Sequence, residues 1–124
     1  MKNIIMIDDD TSILEIYKIV FERAGYAITI LNSSELILNN EFDEPDLFII
    51  DKQLSGADGL DVCRFLKSRV PQKDTPIIIF SASTHINKYA REAGADDYIE
   101  KPFKTKDLFQ MVEKHINKVQ EEEV

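Results

Sequence analysis

An α/β fold wound on both faces of a parallel sheet is predicted by three features of the sequence. Five short apolar runs alternate with five helix-like stretches along 124 residues. Most of the runs are apolar at consecutive positions rather than alternate ones, as strands covered on both sides must be. Each return from one run to the next crosses a helix-length segment, the connection that parallel neighbours need.

The first run, Asn3–Ile7, is rich in β-branched residues and predicts a buried strand. Thr11-Ser12, with Glu15 three residues after Ser12, predict an N-cap and a capping box. Ile13, Tyr17, Val20, Phe21 and Ala24 then recur at helical spacing, and Gly25 suits the helix end. Residues 26–31 read as a second strand, and Ser33-Ser34 as the cap of a short helix reaching Asn39. Pro45 interrupts the chain before Leu47-Phe48-Ile49-Ile50, a third buried strand ending on Asp51. A loop with two glycines, Ser55-Gly56-Ala57-Asp58-Gly59, leads to a helix over 60–69. Pro76 opens a fourth strand over 76–80, at a position where a missing N–H is tolerated. A weaker helix over 86–93 ends at Gly94, a short fifth strand covers 98–100, and the last helix covers 106–119. Leu108, Val112, Ile116 and Val119 share one face of that helix.

The length suits one domain, assigned here to residues 1–120, with 121–124 as an acidic tail or the start of a linker. With 15 basic and 23 acidic residues the net charge is −8, which argues against direct nucleic-acid binding. The N-terminal apolar run is too short for a signal peptide or a membrane span, so no membrane association is expected. The single cysteine, Cys63, excludes an intramolecular disulfide, and a cytoplasmic location is expected. Cys63 lies beside Val62 and Leu66 and reads as a core thiol. His85 and His115 have no partner at metal-ligand spacing.

In an open parallel sheet, ligands bind beyond the carboxyl ends of the strands. The residues at those ends are Asp8-Asp9-Asp10, Asp51, Ser81 and Lys101-Pro102. Each has a plain reading alone: acids ahead of a helix favour its dipole, Ser81 can cap, and Lys101 can be solvated. Aligned, they converge on one rim. Two unit charges ~4 Å apart repel by about 4 kcal/mol at an effective dielectric of ~20, so gathered carboxylates call for countercharge. Lys101 supplies one positive charge, and an oxygen-liganded Mg²⁺ would supply two more. A carboxylate beside Mg²⁺, a lysine and a hydroxyl suits phosphoryl acceptance.

These residues, together with Gly56-Ala57-Asp58-Gly59, Phe80-Ser81-Ala82 and Lys101-Pro102-Phe103, resemble the receiver domains of bacterial two-component response regulators. The resemblance covers the whole chain. It implies a flavodoxin-like doubly wound (βα)5 fold, with a five-stranded parallel sheet in the order 2-1-3-4-5. It implies that Asp51 accepts the phosphoryl group and that Lys101 pairs with it. Asp8, Asp9, Asp51 and the backbone carbonyl of Gln53 would hold Mg²⁺, with Mn²⁺ as an alternative. Ser81 would be the switch hydroxyl and Tyr98 the aromatic residue that follows it. Gln53 and Ser83 would tune the lifetime of the phosphorylated state. Lys101-Pro102 would carry a cis peptide bond. Ser55 stands where proline is usual, Ala57 where methionine is common, and Thr105 rather than Lys104 is expected to cap the last helix.

The resemblance implies a phosphorylation-activated signalling domain rather than an enzyme, one that assists only its own phosphorylation and dephosphorylation. The donor would be a sensor histidine kinase or a histidine phosphotransfer protein. A downstream target would read the face formed by the fourth helix, fifth strand and fifth helix. One alternative is the same domain within a longer regulator having a DNA-binding or enzymatic output. Another is an aspartate-based Mg²⁺-dependent phosphatase, although Gln53 stands where such enzymes carry a second acid. A flavin-binding module would require a phosphate loop where Asp8-Asp9-Asp10 stands.

Overall fold

The computed structural model describes residues 1–69, 74–83 and 85–122, with side chains described as far as residue 116 in the last helix. The strands are β1 (Asn3–Ile7), β2 (Ala27–Leu31), β3 (Leu47–Asp51), β4 (Ile77–Ser81) and β5 (Asp97–Glu100). The helices are α1 (Thr11–Arg23), α2 (Glu35–Leu38), α3 (Gly59–Lys67), α4 (Ile86–Glu92) and α5 (Thr105–Glu122). All four strand pairings are parallel, and the sheet order is β2-β1-β3-β4-β5. Both the doubly wound class and the expected order 2-1-3-4-5 are therefore met.

Alternate residues of the central strands enter opposite cores, which is why their sequences are apolar at every position. Ile5, Ile7, Phe48, Ile50, Ile77 and Ile79 face α2, α3 and α4, where they meet Ile37, Leu60, Val62, Cys63, Leu66, Ile86 and Ala90. Ile4, Met6, Leu47, Ile49, Ile78 and Phe80 face α1 and α5, where they meet Leu14, Phe21, Leu108, Val112 and Ile116. Each fully buried large side chain contributes roughly 1.5–3 kcal/mol against exposure. Cys63 is a buried core residue whose thiol donates to the Ala93 carbonyl at 3.5 Å, and burial pushes its pKa up to about 11. Val119 belongs to α5, but its side chain lies outside the described residues.

Several element ends differ from the sequence reading. The α1 cap is Asp10, whose carboxylate accepts from the N–H groups of Ser12 and Ile13, in place of Thr11 or Ser12. The third acid of the triplet is thus a helix cap. Lys104 occupies the cap position of α5, because its carbonyl accepts the first helical bonds from Asp107 and Leu108. Thr105 is already helical and does not cap. Asp58 caps α3 through the Leu60 N–H, which starts that helix at Gly59. β2 begins one residue later than expected, β5 one residue earlier, and Pro76 lies just outside β4. α5 extends through Glu122, and Glu123 and Val124 lie outside the described residues. Among the described residues, no helix is long and apolar enough to cross a membrane.

The loop after β3 is more ordered than its two glycines suggest. Gln53–Leu54 and Ala57–Asp58 form a short antiparallel ladder closed by Ser55 and Gly56. Gly56 has φ +74°, the left-handed conformation that such a turn asks of its third residue. Gly59 is held there by close approach: a Cβ at this position would overlap the carbonyl oxygen of Asp51. The loop can only return under β3 if residue 59 has no side chain. Gly59→Ala is expected to destabilise the protein by about 2–4 kcal/mol. Thermal or urea unfolding measures this, and a wild-type stability would contradict the packing described.

Candidate functional site

The carboxyl ends of β1, β3 and β5 bring Asp8, Asp51 and Lys101 to one rim because these strands are parallel and lie close together in the sheet. Asp8 is 1% exposed and Asp51 is 5% exposed, whereas Asp9 is open to solvent. Their carboxylate oxygens, one from each residue, lie within 4.8 Å of one another. Lys101 Nζ reaches Asp51 Oδ2 at 3.2 Å and stands 3.8 Å from Asp8 Oδ2. It also lies 4.6 Å from the centre of the Phe80 ring, whose face favours a cation. The Lys101–Pro102 peptide is cis, as the resemblance implies.

The backbone holds one oxygen of each buried carboxylate. Asp8 Oδ1 accepts from the Asp10 N–H at 2.9 Å, and Asp51 Oδ1 accepts from the Gln53 N–H at 3.2 Å. Asp8 Oδ2 is buried without a hydrogen-bond partner. A buried carboxylate oxygen left in that condition is costly. Burial pushes the Asp8 carboxyl from its ordinary 3.8 up to about 7, and the charge of Asp51 pushes in the same direction. The Asp10 N–H and the Lys101 ammonium pull it back down. An orphaned carboxylate oxygen beside two further carboxylates is a donor set that fits a small hard cation such as Mg²⁺.

Ser81 is buried at the end of β4, and its backbone carbonyl accepts from the Lys101 N–H at 2.8 Å. Its hydroxyl accepts from the Ser83 N–H at 3.0 Å, so the hydroxyl is held within its own loop. The Ser83 hydroxyl in turn accepts from the His85 N–H at 3.3 Å. Gln53 is exposed and sits in the short ladder opposite Asp58. Tyr98 pairs in register with Ile79, three residues before Lys101, and packs half-buried against the core that includes Ile86, Ala90 and Ala93. It is therefore one layer below the carboxylates.

Two contacts escape a reading by sequence alone. Ser55 donates its hydroxyl to Asp9 Oδ2 at 3.1 Å, across 46 positions of sequence. His115 Nε2 lies 2.7 Å from Asp97 Oδ2 and ties α5 to β5. Neither pair shares a spacing that could signal it, since each is made only when separate loops or elements meet.

The chain is similar to known proteins along nearly its whole length. A family model described as the response regulator receiver domain matches residues 4–113. The DNA-binding response regulator MtrA of Mycolicibacterium smegmatis is 32% identical over 124 residues, covering 98% of this chain and 53% of that protein. The response regulator SaeR of Staphylococcus aureus is 30% identical over 110 residues, covering 87% of this chain and 47% of that protein. The chain thus spans about half the length of these curated relatives. Among solved structures, a receiver domain protein of Methanospirillum hungatei aligns with TM-score 0.88 at 26% identity, covering 98% of each chain. The response regulator TrrA of Thermotoga maritima, solved in complex with Mg²⁺ and BeF, aligns with TM-score 0.81 at 31% identity, covering 92% of this chain and 98% of that one. With its sheet order, its acidic rim and this match over residues 4–113, the chain belongs to the response regulator receiver domain family.

Proposed function

We propose that this chain, over residues 1–120, receives a phosphoryl group on Asp51 and passes the signal on through a change of surface. The observation that carries the reading is Asp8 Oδ2, buried without a hydrogen-bond partner beside Asp51 and Lys101. The donor is a sensor histidine kinase or a histidine phosphotransfer protein. The phosphoryl group leaves the phosphohistidine nitrogen as the P–N bond breaks, and a P–O bond forms to a carboxylate oxygen of Asp51. Lys101, already an ion-pair partner of Asp51, stays with the new phosphoryl oxygens and offsets their charge. Asp8, Asp9, Asp51 and the Gln53 carbonyl would hold Mg²⁺, which would supply positive charge to offset that of the transferring oxygens. Mn²⁺ has the same preference for oxygen ligands and is the alternative cation.

Ser81 is the switch hydroxyl. Its oxygen accepts from the Ser83 N–H, which leaves its O–H free to donate to the phosphoryl group, and Tyr98 then moves further into the core. Ser83 and Gln53 flank this route and govern access of water to the acyl phosphate. The target reads the face of α4, β5 and α5, where Tyr98 connects the switch to the surface. The chain is a cytoplasmic signalling domain whose only chemistry is its own phosphorylation and dephosphorylation. A second reading, a receiver that governs a DNA-binding output, draws on its likeness to MtrA.

Three outcomes are expected. Beryllofluoride with Mg²⁺ should shift backbone NMR resonances around Asp51, Ser81 and Tyr98, and Asp51→Asn should abolish the response. An unresponsive wild-type protein would overturn the proposal. Binding of Mg²⁺ should release a proton where Asp8 is partly protonated, because a protonated carboxyl is a poor ligand. Affinity should therefore fall as pH drops below about 7, by up to about tenfold per unit. Calorimetry in two buffers of different ionisation enthalpy measures the proton count. The raised pKa also means that ionising Asp8 opposes folding. Its contribution is most favourable below pH 3.8, declines as pH rises to about 7, and is constant above that. Asp8→Asn should accordingly stabilise the metal-free protein at about pH 8, by roughly 1–3 kcal/mol, while weakening Mg²⁺ binding. Melting curves with and without chelator test both halves.

A further inference from the structure

We propose that Ser55 is a positioning residue for the cation site, a tether that fixes two ligand-bearing loops against each other. The inference rests on the Mg²⁺ reading given above. Asp9 lies in the loop after β1 and is exposed, so burial does not restrain its side chain. The contact that orients it is the Ser55 hydroxyl, which donates to Asp9 Oδ2 at 3.1 Å. Ser55 occupies the turn of the short ladder formed by Gln53–Leu54 and Ala57–Asp58. That ladder carries the Gln53 carbonyl, the expected ligand from the other loop. The pairing of β1 with β3 sets these loops side by side, and this one hydrogen bond joins the ligand after β1 to the ladder that carries the ligand after β3.

The rest of the ladder is placed to transmit this restraint. Its base is fixed to β3 by the Gln53 N–H on Asp51 Oδ1 and by the Gly59 N–H on the Lys52 carbonyl at 2.6 Å. The side chain of Lys52 meets Asp58 Oδ2 at 3.3 Å, bracing the two halves of the loop across its width. The tip, at Ser55 and Gly56, has no buried side chain to anchor it. Ser55 therefore does at the tip what Gly59 packing does at the base. A hydroxyl donating to a ligating carboxylate also leaves the carboxylate's other oxygen for the cation and keeps the side chain from rotating away. Because the bond is exposed to water, its contribution belongs near the low end for such contacts, about 3- to 10-fold in affinity.

The test compares wild type, Ser55→Ala and Ser55→Thr. Calorimetric titration with Mg²⁺ alone, at about pH 8 so that Asp8 is ionised, gives the affinity. Amide hydrogen exchange of residues 53–58 in the metal-free protein gives an independent readout. Ser55→Ala should bind Mg²⁺ about 3- to 10-fold more weakly and exchange faster at the ladder tip, and Ser55→Thr should restore both. Wild-type affinity in Ser55→Ala overturns the tether alone, as does equal weakening in the Ala and Thr variants. A wild-type chain that binds no Mg²⁺ overturns the cation site and the tether together, which distinguishes the two failures.

Discussion

Lys101 faces two buried carboxylates at once, and the organisation of the rim follows from that confrontation. Asp8 and Asp51 are both held out of water, which raises the cost of their charge and strengthens their repulsion. The ammonium at 3.2 Å from Asp51 and 3.8 Å from Asp8 supplies countercharge for only one of them. The imbalance is visible at Asp8, where one oxygen has no hydrogen-bond partner and the carboxyl holds its proton to about pH 7. A site in this condition is poised for a cation or for rearrangement, and its cost to stability is borne by the cores beneath it.

Those cores do two jobs. The strands β1, β3 and β4 are buried on both faces, so they cannot shift register without moving whole sets of isoleucines between cores. This fixes the axial position of Asp8, Asp51 and Ser81 at the strand ends. The edge strand β5 is less buried, and it carries Tyr98 and leads into Lys101. Packing is thus lighter along the strand that carries Tyr98 than along the strands that carry the carboxylates. His115 on Asp97 ties α5 to that same strand, so α5 and β5 are coupled on the face proposed for the target.

Much of this was legible in the sequence because burial on two faces writes itself as continuous apolar runs. Ile4 to Ile7, Leu47 to Ile50 and Ile77 to Phe80 each announced a strand, and the polar residues after them named the rim. Element ends were less legible. Thr11, Ser12 and Thr105 all have the chemistry of a cap, yet Asp10 and Lys104 occupy the cap positions. Choosing among adjacent candidates depends on where the backbone turns, and tertiary packing sets that. The short ladder after β3 was also hidden, because two-residue strands have no period to detect.

The sequence by itself determined the fold class, the strand order through its family resemblance, and the identity of the rim residues Asp8, Asp9, Asp51, Ser81 and Lys101. Periodicity and residue type are local properties, and they survive in a one-dimensional reading. Only the tertiary structure decided which acids share a fate: Asp10 caps a helix, Asp8 is buried with an orphaned oxygen, and Asp9 is exposed and held by Ser55. Three adjacent, identical side chains take three roles: Asp10 bonds N–H groups two and three residues on, whereas the burial of Asp8 beside Lys101 and the contact of Asp9 with Ser55 exist only once the chain has closed.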